Sequence, residues 1–211
     1  MAKSYDNGYT SDFILQDFIP GDDSNMRTLN VYVDKNHQVK LMCLGHPLLE
    51  DPAPAAIGNY VAIIPEFNQD IYNKVQTFLE EINFHGYANF DIKFDNRDNS
   101  YKLFEINLRT GRSSFFVTLN GHKLADWVVQ DYVFDSLKDK PTLYANKDQS
   151  QYFLWLGVTP KIFEKYAKDN DAKKQAMEMI SEGRYGDTFW YAKDKNIKRF
   201  ALYLSLIHIW R

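Results

Sequence analysis

The sequence predicts an α+β fold in which helices pack on one side of an antiparallel sheet. Three stretches support this fold class. Apolar and polar residues alternate with period two in residues 27–33 and again in residues 87–95, as they do in half-buried strands. Between these runs, residues 68–83 place apolar side chains at helical spacing. Strands followed by a helix, two more strands and a second helix are typical of a layered α+β domain.

The composition is that of a folded chain with a substantial core. Of the 211 residues, 45% are hydrophobic and 16% are aromatic, which suffices for one core or two small domains. The net charge of -3 gives no electrostatic reason to expect nucleic acid as a partner. A single cysteine, Cys43, fits a reducing compartment. Since no segment resembles a signal peptide or a membrane helix, we expect a cytoplasmic protein.

The first part of the predicted sheet consists of short strands. An apolar run at residues 13–19 and alternating runs at residues 27–33 and 39–44 indicate three of them. Residues 45–58 are rich in Pro and Gly, which predicts a loop over the site. Residues 59–64 fit either another strand or an apolar loop that closes on substrate.

Two helices are predicted on either side of a central hairpin. The first covers residues 68–83, with Asn68 available as its N-cap. The second covers residues 120–134, where apolar side chains again recur on one helical face.

The character of the sequence changes near residue 138. We predict one domain over residues 1–138 and an appended subdomain over residues 139–203, which carries no motif that we can interpret. Residues 204–211 are similar to a translated sequencing adapter, and we expect them to be an artefact.

The central hairpin has one apolar face, which we expect to lie on a core. The register that produces it places Asp95 opposite Tyr101 and forms the pairs Ile92–Phe104, Phe90–Ile106 and Ala88–Leu108.

The opposite face of the hairpin carries the candidate chemistry. There Asp91 faces Glu105, Asn89 faces Asn107, and Arg109 follows just beyond. Two facing carboxylates repel each other, and a divalent cation would remove the conflict. Carboxylate and amide oxygens are the ligands that Mg²⁺ prefers. An arginine nearby would supply positive charge where phosphoryl or carbonyl oxygens become more negative.

A second interpretation of this face remains open. Charged residues are common on solvated sheet faces, and Lys93 and Lys102 lie near enough in the sequence to dilute the acids. The carboxylate pair by itself fits both interpretations.

The motif Phe-Asp-Ile-Lys-Phe-Asp at residues 90–95, followed by Phe-Glu-Ile-Asn-Leu-Arg at residues 104–109, resembles the metal-binding end of the ATP-grasp superfamily. In that family an acid on one strand and a Glu-x-Asn-x-Arg on the next hold Mg-ATP. The resemblance implies that Asp91, Glu105 and Asn107 bind Mg²⁺, with Mn²⁺ as a substitute.

The same resemblance assigns roles to the residues that follow. It implies that Arg109 steadies the transferring phosphate or acyl phosphate. The Arg-Thr-Gly-Arg-Ser-Ser run at residues 109–114 also resembles the corresponding segment of the subunits that make carbamoyl phosphate. By that likeness Arg112, Ser113 and Ser114 belong to the acceptor side of the site, with Arg112 as a second catalytic candidate.

An earlier segment resembles the part of ATP-grasp proteins that grips adenine. The resemblance implies that Asp17 and Ile19 contact the adenine edge through backbone groups, and that Asp23 contacts the ribose hydroxyls. Gln16 stands where the family usually has Glu, and its amide can still accept one hydrogen bond. From this segment alone, a plain strand with a Pro-Gly turn remains an alternative.

The resemblance implies an ATP-dependent carboxylate-amine ligase that forms an amide or peptide bond through an acyl phosphate. Its substrates would be a small carboxylate and an amine, with a cell-wall peptide precursor as one candidate. The family's Gly-rich phosphate loop has no counterpart before Asp12. We therefore expect the C-terminal half of an ATP-grasp fold, with weak ATP binding and little turnover. A non-catalytic nucleotide- or cation-binding module and a purely structural interaction domain are the alternatives.

Overall fold

The computed structural model describes residues 15–52, 56, 58–148, 151–188, 196–198 and 201, together with the backbone of residues 2–6 and 9–13. The strands in these ranges are β1 (Ala2–Asp6), β2 (Tyr9–Phe13), β3 (Met26–Val33), β4 (Val39–Glu50), β5 (Tyr60–Glu66), β6 (Gly86–Asp95), β7 (Ser100–Asn107), β8 (Leu143–Tyr144), β9 (Leu154–Leu156) and β10 (Tyr185–Gly186). The α-helices are α1 (Gln69–Glu81), α2 (Phe115–Leu119), α3 (Leu124–Val128), α4 (Pro160–Tyr166) and α5 (Asp171–Ser181).

Within the described ranges, one eight-stranded sheet dominates the fold. Seven strands follow the order β10-β9-β5-β4-β3-β6-β7, and β8 pairs with β4 beside this path. The ladders from β9 to β7 are antiparallel, whereas β10 with β9 and β8 with β4 are short parallel pairs. β1 and β2 form a separate two-stranded sheet. The predicted α+β class is confirmed.

Helix α1 covers one face of the sheet. It begins where predicted, because the Asn68 side chain accepts a hydrogen bond from the Ile71 backbone N–H at 3.1 Å. Its buried side chains pack on the alternate residues of β3 that point to this face, such as Leu29 and Val31. Helices α4 and α5 cover the same sheet farther along, over β5 and β9.

The second face also carries helices, in addition to those expected on the first. Phe116 and Val117 of α2 pack on Tyr32, Leu41 and Cys43, which alternate with the residues under α1. The predicted helix over residues 120–134 is wrong at its start. Helix α2 begins at Phe115 and ends before Gly121, and α3 then continues into a π-helical turn over Val129–Val133.

Two predicted elements near the site differ in the structure. The strand predicted at residues 13–19 is wrong, because β2 ends at Phe13 and residues 15–20 have no regular structure. The loop predicted at residues 45–58 is also wrong for its first part, because β4 continues to Glu50. The register of β4 against β5 shifts between Pro47 and Leu49, and such a bulge accommodates a residue without an N–H group.

Residues 139–188 extend the same sheet and pack on it. β9 pairs with β5, β10 pairs with β9, and α4 and α5 close the cluster around Leu154 and Phe163. A domain division at residue 138 stays a prediction, and residues 204–211 lie outside the described residues. Among the helices that the structure describes, none is long and apolar enough to cross a membrane.

Gly45 permits close packing between β4, β5 and α2. A Cβ atom at this position would lie 2.5 Å from Cγ2 of Ile63 and 3.0 Å from Cζ of Phe116. We expect Gly45→Ala to lower the free energy of unfolding by about 1–3 kcal/mol, because strand, helix or both must move apart.

The matched control is Gly157→Ala. A Cβ atom there would meet its nearest neighbour, the Val61 carbonyl oxygen, at an ordinary 3.5 Å. Urea unfolding of both variants measures the difference. Equal stability of the two variants would contradict the packing argument.

Candidate functional site

Three neighbouring strands, β3, β6 and β7, place polar side chains in two rows across one face of the sheet. Cross-strand pairing produces the rows Thr28–Asp91–Glu105 and Asn30–Asn89–Asn107. The predicted pairs Asp91–Glu105 and Asn89–Asn107 are confirmed. Each row combines residues from distant parts of the chain on one rigid surface.

The predicted register is wrong beyond Asp91. Between Asp91 and Ile92 the pairing shifts by one residue, so that Ile92 lies opposite Leu103 and Asp95 opposite Ser100. Phe104 is the extra residue of this bulge. A bulge re-aims the side chains beside it, and Phe104 lines a cleft instead of pairing on the core.

The apolar face of the hairpin is only half buried. Ala88, Phe90 and Ile92 of β6 belong to the core under α1, as predicted. On β7 the prediction is wrong, because Ile106 is 40% exposed and Leu108, which lies beyond the end of β7 and pairs with no residue, is 72% exposed. The reason is position in the sheet, since β7 is its last strand in the described ranges.

A polar cavity of about 260 Å³ lies over the two rows. Five predicted site residues line it together: Asp91, Glu105, Asn107, Arg109 and Arg112. Further lining residues come from the β4–β5 connection and the start of β5, namely Gly58, Asn59 and Tyr60. The cavity therefore joins acidic and basic side chains that the sequence separates.

The ionised form of Asp91 is energetically unfavourable in the folded chain. Burial, and secondly the nearby Glu105, raise the pKa of Asp91 from 3.8 to about 6, while Arg109 lowers it. The Asn107 amide donates to Glu105 Oε1 at 3.1 Å, and Arg109 donates to Asn107 Oδ1 at 3.4 Å. These contacts aim a cationic side chain at the acid pair.

The segment that carries the arginines is hydrogen-bonded to the sheet at Ser114 and approaches it closely at Gly111. The Ser114 hydroxyl lies 2.5 Å from Oδ1 of the buried Asn30. A Cβ atom on Gly111 would lie 3.1 Å from Oδ1 of Asn89, whose amide donates to the Thr28 hydroxyl at 3.0 Å. Asn30 and Thr28 were not predicted as supports, although each places a polar residue in an otherwise apolar strand.

Arg112 lies at the far side of the cavity. Its guanidinium forms a 3.7 Å ion pair with Asp51, just after β4, and its side chain is largely exposed. Both predicted catalytic arginines therefore contact the same cavity from one segment.

A second cleft, which is apolar and has a volume of about 300 Å³, lies beside the polar cavity on the same sheet. It is lined by Gln16, Asp17, Phe18, Ile19, Met26, Lys93 and Phe104. The Gln16 amide donates to the Phe104 carbonyl oxygen at 3.1 Å, and Arg97 forms a 3.2 Å ion pair with Asp17. These side-chain contacts hold residues 15–19 along β7 and leave an apolar cleft between them and β3.

Asp23, the predicted ribose contact, lies in a different and smaller cleft. Its neighbours there include Ser24, Tyr166 and Lys168. Lys168 also forms a 2.6 Å ion pair with Asp22 and, with Ser24, lowers the pKa of Asp22 to about 2. The structure thus brings Gln16, Asp17 and Ile19 together and separates Asp23 from them.

In the part of the chain that the structure describes, no group of three or more His, Cys, Asp and Glu residues is arranged to hold a metal ion. The candidate donor set is instead two carboxylates and one amide oxygen. Oxygen donors of this kind fit a hard divalent cation that keeps several of its waters.

Over 99% of its length, the chain is 56% identical to a D-aspartate ligase of Enterococcus faecium (strain Aus0004). This similarity agrees with the resemblance to the ATP-grasp superfamily that the hairpin motif carries. The chain spans about half the length of this curated relative, since the alignment covers 49% of it. No protein-family model matches the chain.

Solved structures align with parts of this chain. The biotin carboxylase subunit of pyruvate carboxylase aligns with a TM-score of 0.45 and 14% identity, over 65% of this chain and 30% of that one. N5-carboxyaminoimidazole synthetase from Staphylococcus aureus complexed with ADP aligns with a TM-score of 0.33 and 17% identity, over 44% and 25% of the two chains.

The raised pKa of Asp91 predicts how the free energy of unfolding depends on pH. This pKa is higher in the folded chain, so folding of the ionised form is penalised fully above about pH 6 and not below about pH 4. In metal-free buffer at about pH 7.5, we expect Asp91→Asn to raise the free energy of unfolding by about 1–2 kcal/mol. The gain should disappear on acidification.

Asp95→Asn is the matched control with the opposite sign. Hydrogen bonds from Arg97 lower the pKa of Asp95 to about 2, so its charge stabilises the folded chain near neutral pH. We expect this variant to be less stable than wild type at pH 7.5. Urea unfolding at several pH values tests both signs, and a destabilising Asp91→Asn would contradict the argument.

The Ser114–Asn30 contact predicts the behaviour of the arginine segment. We expect Ser114→Ala to cost about 1 kcal/mol of stability and to speed amide hydrogen exchange in residues 109–113, because a buried hydrogen bond is lost. Ser113→Ala, at the less buried neighbouring position, should change neither. Unchanged exchange in Ser114→Ala would show that other contacts hold the segment.

Proposed function

We propose that the polar cavity is the reaction centre of an ATP-dependent carboxylate-amine ligase that works through an acyl phosphate. The observation that carries the proposal is the facing pair Asp91 and Glu105, with Asn107 and Arg109 beside it in one cavity. The relationship to a D-aspartate ligase supports it.

Asp91, Glu105 and Asn107 would hold Mg²⁺ or Mn²⁺ in this proposal. The raised pKa of Asp91 and the facing Glu105 support this assignment, because a cation would relieve both the burial of charge and the repulsion. When bound, the ion would supply positive charge against the phosphate oxygens.

The apolar cleft would take the adenine of ATP. Phe18, Met26 and Phe104 offer apolar side chains there, and the backbone of Asp17 and Ile19 borders it, as the family resemblance implies. Because the cleft adjoins the acid pair along the same sheet, a nucleotide in it would extend its phosphates toward the polar cavity. Gln16 is proposed to support this cleft rather than to bind adenine by its side chain, since its amide is engaged with β7.

The proposed chemistry has two steps, and each step forms one bond and breaks another. A substrate carboxylate oxygen attacks the γ-phosphorus of ATP, and ADP leaves with the electrons of the broken P–O bond. An amine nitrogen then attacks the acyl carbon, inorganic phosphate leaves with the electrons of the broken C–O bond, and the nitrogen gives up one proton to that phosphate as the amide forms. Arg109 would stabilise the negative oxygens of the transferring group, and Arg112 would bind the acceptor.

The substrate proposal follows the name of the relative. We propose D-aspartate as the carboxylate that is activated, with a peptide amine as the nucleophile, and the cytoplasm as the compartment that supplies ATP. The chain spans about half of that relative, so we expect these 211 residues to bind Mg-ATP weakly and to turn over little.

Thermal unfolding with and without Mg-ATP tests the proposal. At a ligand concentration of about 100 Kd, binding stabilises the folded state by about 2.7 kcal/mol, which is a shift of several degrees. We expect a shift only when Mg²⁺ and ATP are both present, and its loss in Glu105→Gln.

Glu164→Gln, an exposed carboxylate on α4, is the control and should keep the shift. An equal shift in Glu105→Gln would show that nucleotide binding does not depend on the acid pair. No shift in any of the three proteins would count against a nucleotide site in this chain.

A further inference from the structure

Lys93 is a charged residue at the border between the apolar cleft and the polar cavity. It follows Asp91 by two residues on β6, so both side chains point to the same face of the sheet, whereas Ile92 between them is buried under α1. Pairing with β3 places Asp91 beside Thr28 and Lys93 beside Met26. Lys93 therefore belongs to the row next to the one that contains the acid pair.

Lys93 also lines the apolar cleft. Among the described residues around this cleft, it is the only one with a basic side chain, and Asp17 is the only one with an acidic side chain. The carboxylate of Asp17 forms its 3.2 Å ion pair with Arg97. The cleft therefore combines apolar walls with one ammonium group.

The ammonium group of Lys93 contacts neutral groups rather than a carboxylate. Its Nζ donates to the Gly21 carbonyl oxygen at 2.8 Å and lies 5.2 Å from the centroid of the Phe18 ring. Lys102, by contrast, forms an ion pair with Asp98. In the part of the chain that the structure describes, no carboxylate forms such a pair with Lys93.

Lys93 can bind an anion without losing its contact with Gly21. An ammonium group has three N–H donors, and the Gly21 carbonyl accepts from one of them. Phosphate oxygens are strong acceptors for such a group, because both partners are charged.

The position of Lys93 indicates which part of a nucleotide would reach it. With adenine in the apolar cleft and the γ-phosphate at the acid pair, the ribose and the α- and β-phosphates span the border between the two. The α-phosphate is the first charged group after the ribose. It is therefore the group that a cation at the edge of the cleft meets.

We propose that Lys93 donates a hydrogen bond to the α-phosphate of the bound nucleotide. This inference rests on the proposed adenine site and adds to it a residue that distinguishes a nucleotide from a nucleoside. Lys93 then favours phosphorylated ligands at a point where the cleft is otherwise apolar.

Adenosine and AMP test the inference, because they differ only in the α-phosphate. Their dissociation constants for the 211-residue chain are measured by NMR titration in the presence of Mg²⁺. We expect wild type to bind AMP about tenfold more tightly than adenosine. Lys93→Met should lose this preference and bind adenosine as wild type does, whereas Lys93→Arg, which keeps the charge, should retain most of the preference.

Lys102→Met is the matched control. Lys102 lies opposite Lys93 on β7, and the substitution removes the same charge, but Lys102 is not among the described residues that line the cleft or the polar cavity. We expect this variant to keep the preference for AMP. Loss of the preference in Lys102→Met would show that AMP responds to net charge and would overturn the inference.

The remaining outcomes separate the inference from the proposed function. Equal weakening of adenosine and AMP in Lys93→Met would show that the residue only holds Gly21 in place, and would overturn the phosphate contact. A wild-type chain that binds Mg-ATP but binds AMP no better than adenosine also overturns the role of Lys93 and leaves the ligase function standing. A wild-type chain that binds none of the three ligands contradicts the nucleotide site and the inference together.

Discussion

The site depends on two carboxylates that the sheet keeps face to face. Asp91 and Glu105 lie directly opposite each other on β6 and β7, and hydrogen-bonded strands cannot separate them to relieve repulsion. Burial adds to the cost, which is why the pKa of Asp91 rises to about 6. The fold accommodates the unfavourable charge of Asp91 because Arg109 offsets part of it and because the buried core under α1 supports the strands.

The basic side of the cavity depends on packing on the same sheet face. Gly45 lets α2 lie close to β4 and β5, and the buried Ser114 hydroxyl ties the residue before that helix to Asn30. The backbone segment that carries Arg109 and Arg112 is therefore held partly by contacts that involve neither arginine side chain. Support of this kind matters for the electrostatics of the cavity, because the interaction between charged groups depends on the distance between them.

The bulge in β7 divides the hairpin into two surfaces of different polarity. On one side of it, Asp91 and Glu105 keep the register that the alternation of the sequence predicts. At the bulge, Phe104 turns toward Met26 and Lys93 and helps to form the apolar cleft. One extra residue thus places the apolar side chain of Phe104 next to Glu105, one member of the acid pair, on the same strand.

The sequence by itself determined the local pairing of Asp91 with Glu105 and of Asn89 with Asn107, the N-cap of α1, and the resemblance that grouped Asp91, Glu105, Asn107, Arg109 and Arg112. These features depend on period, spacing and residue type within short segments. Only the tertiary structure decided the bulge at Phe104, the exposure of Ile106, the position of Tyr60 at the cavity and the contact of Asn30 with Ser114. Those features depend on which strand is the last in the sheet and on contacts between segments far apart in the chain, and neither leaves a periodic signal in the sequence.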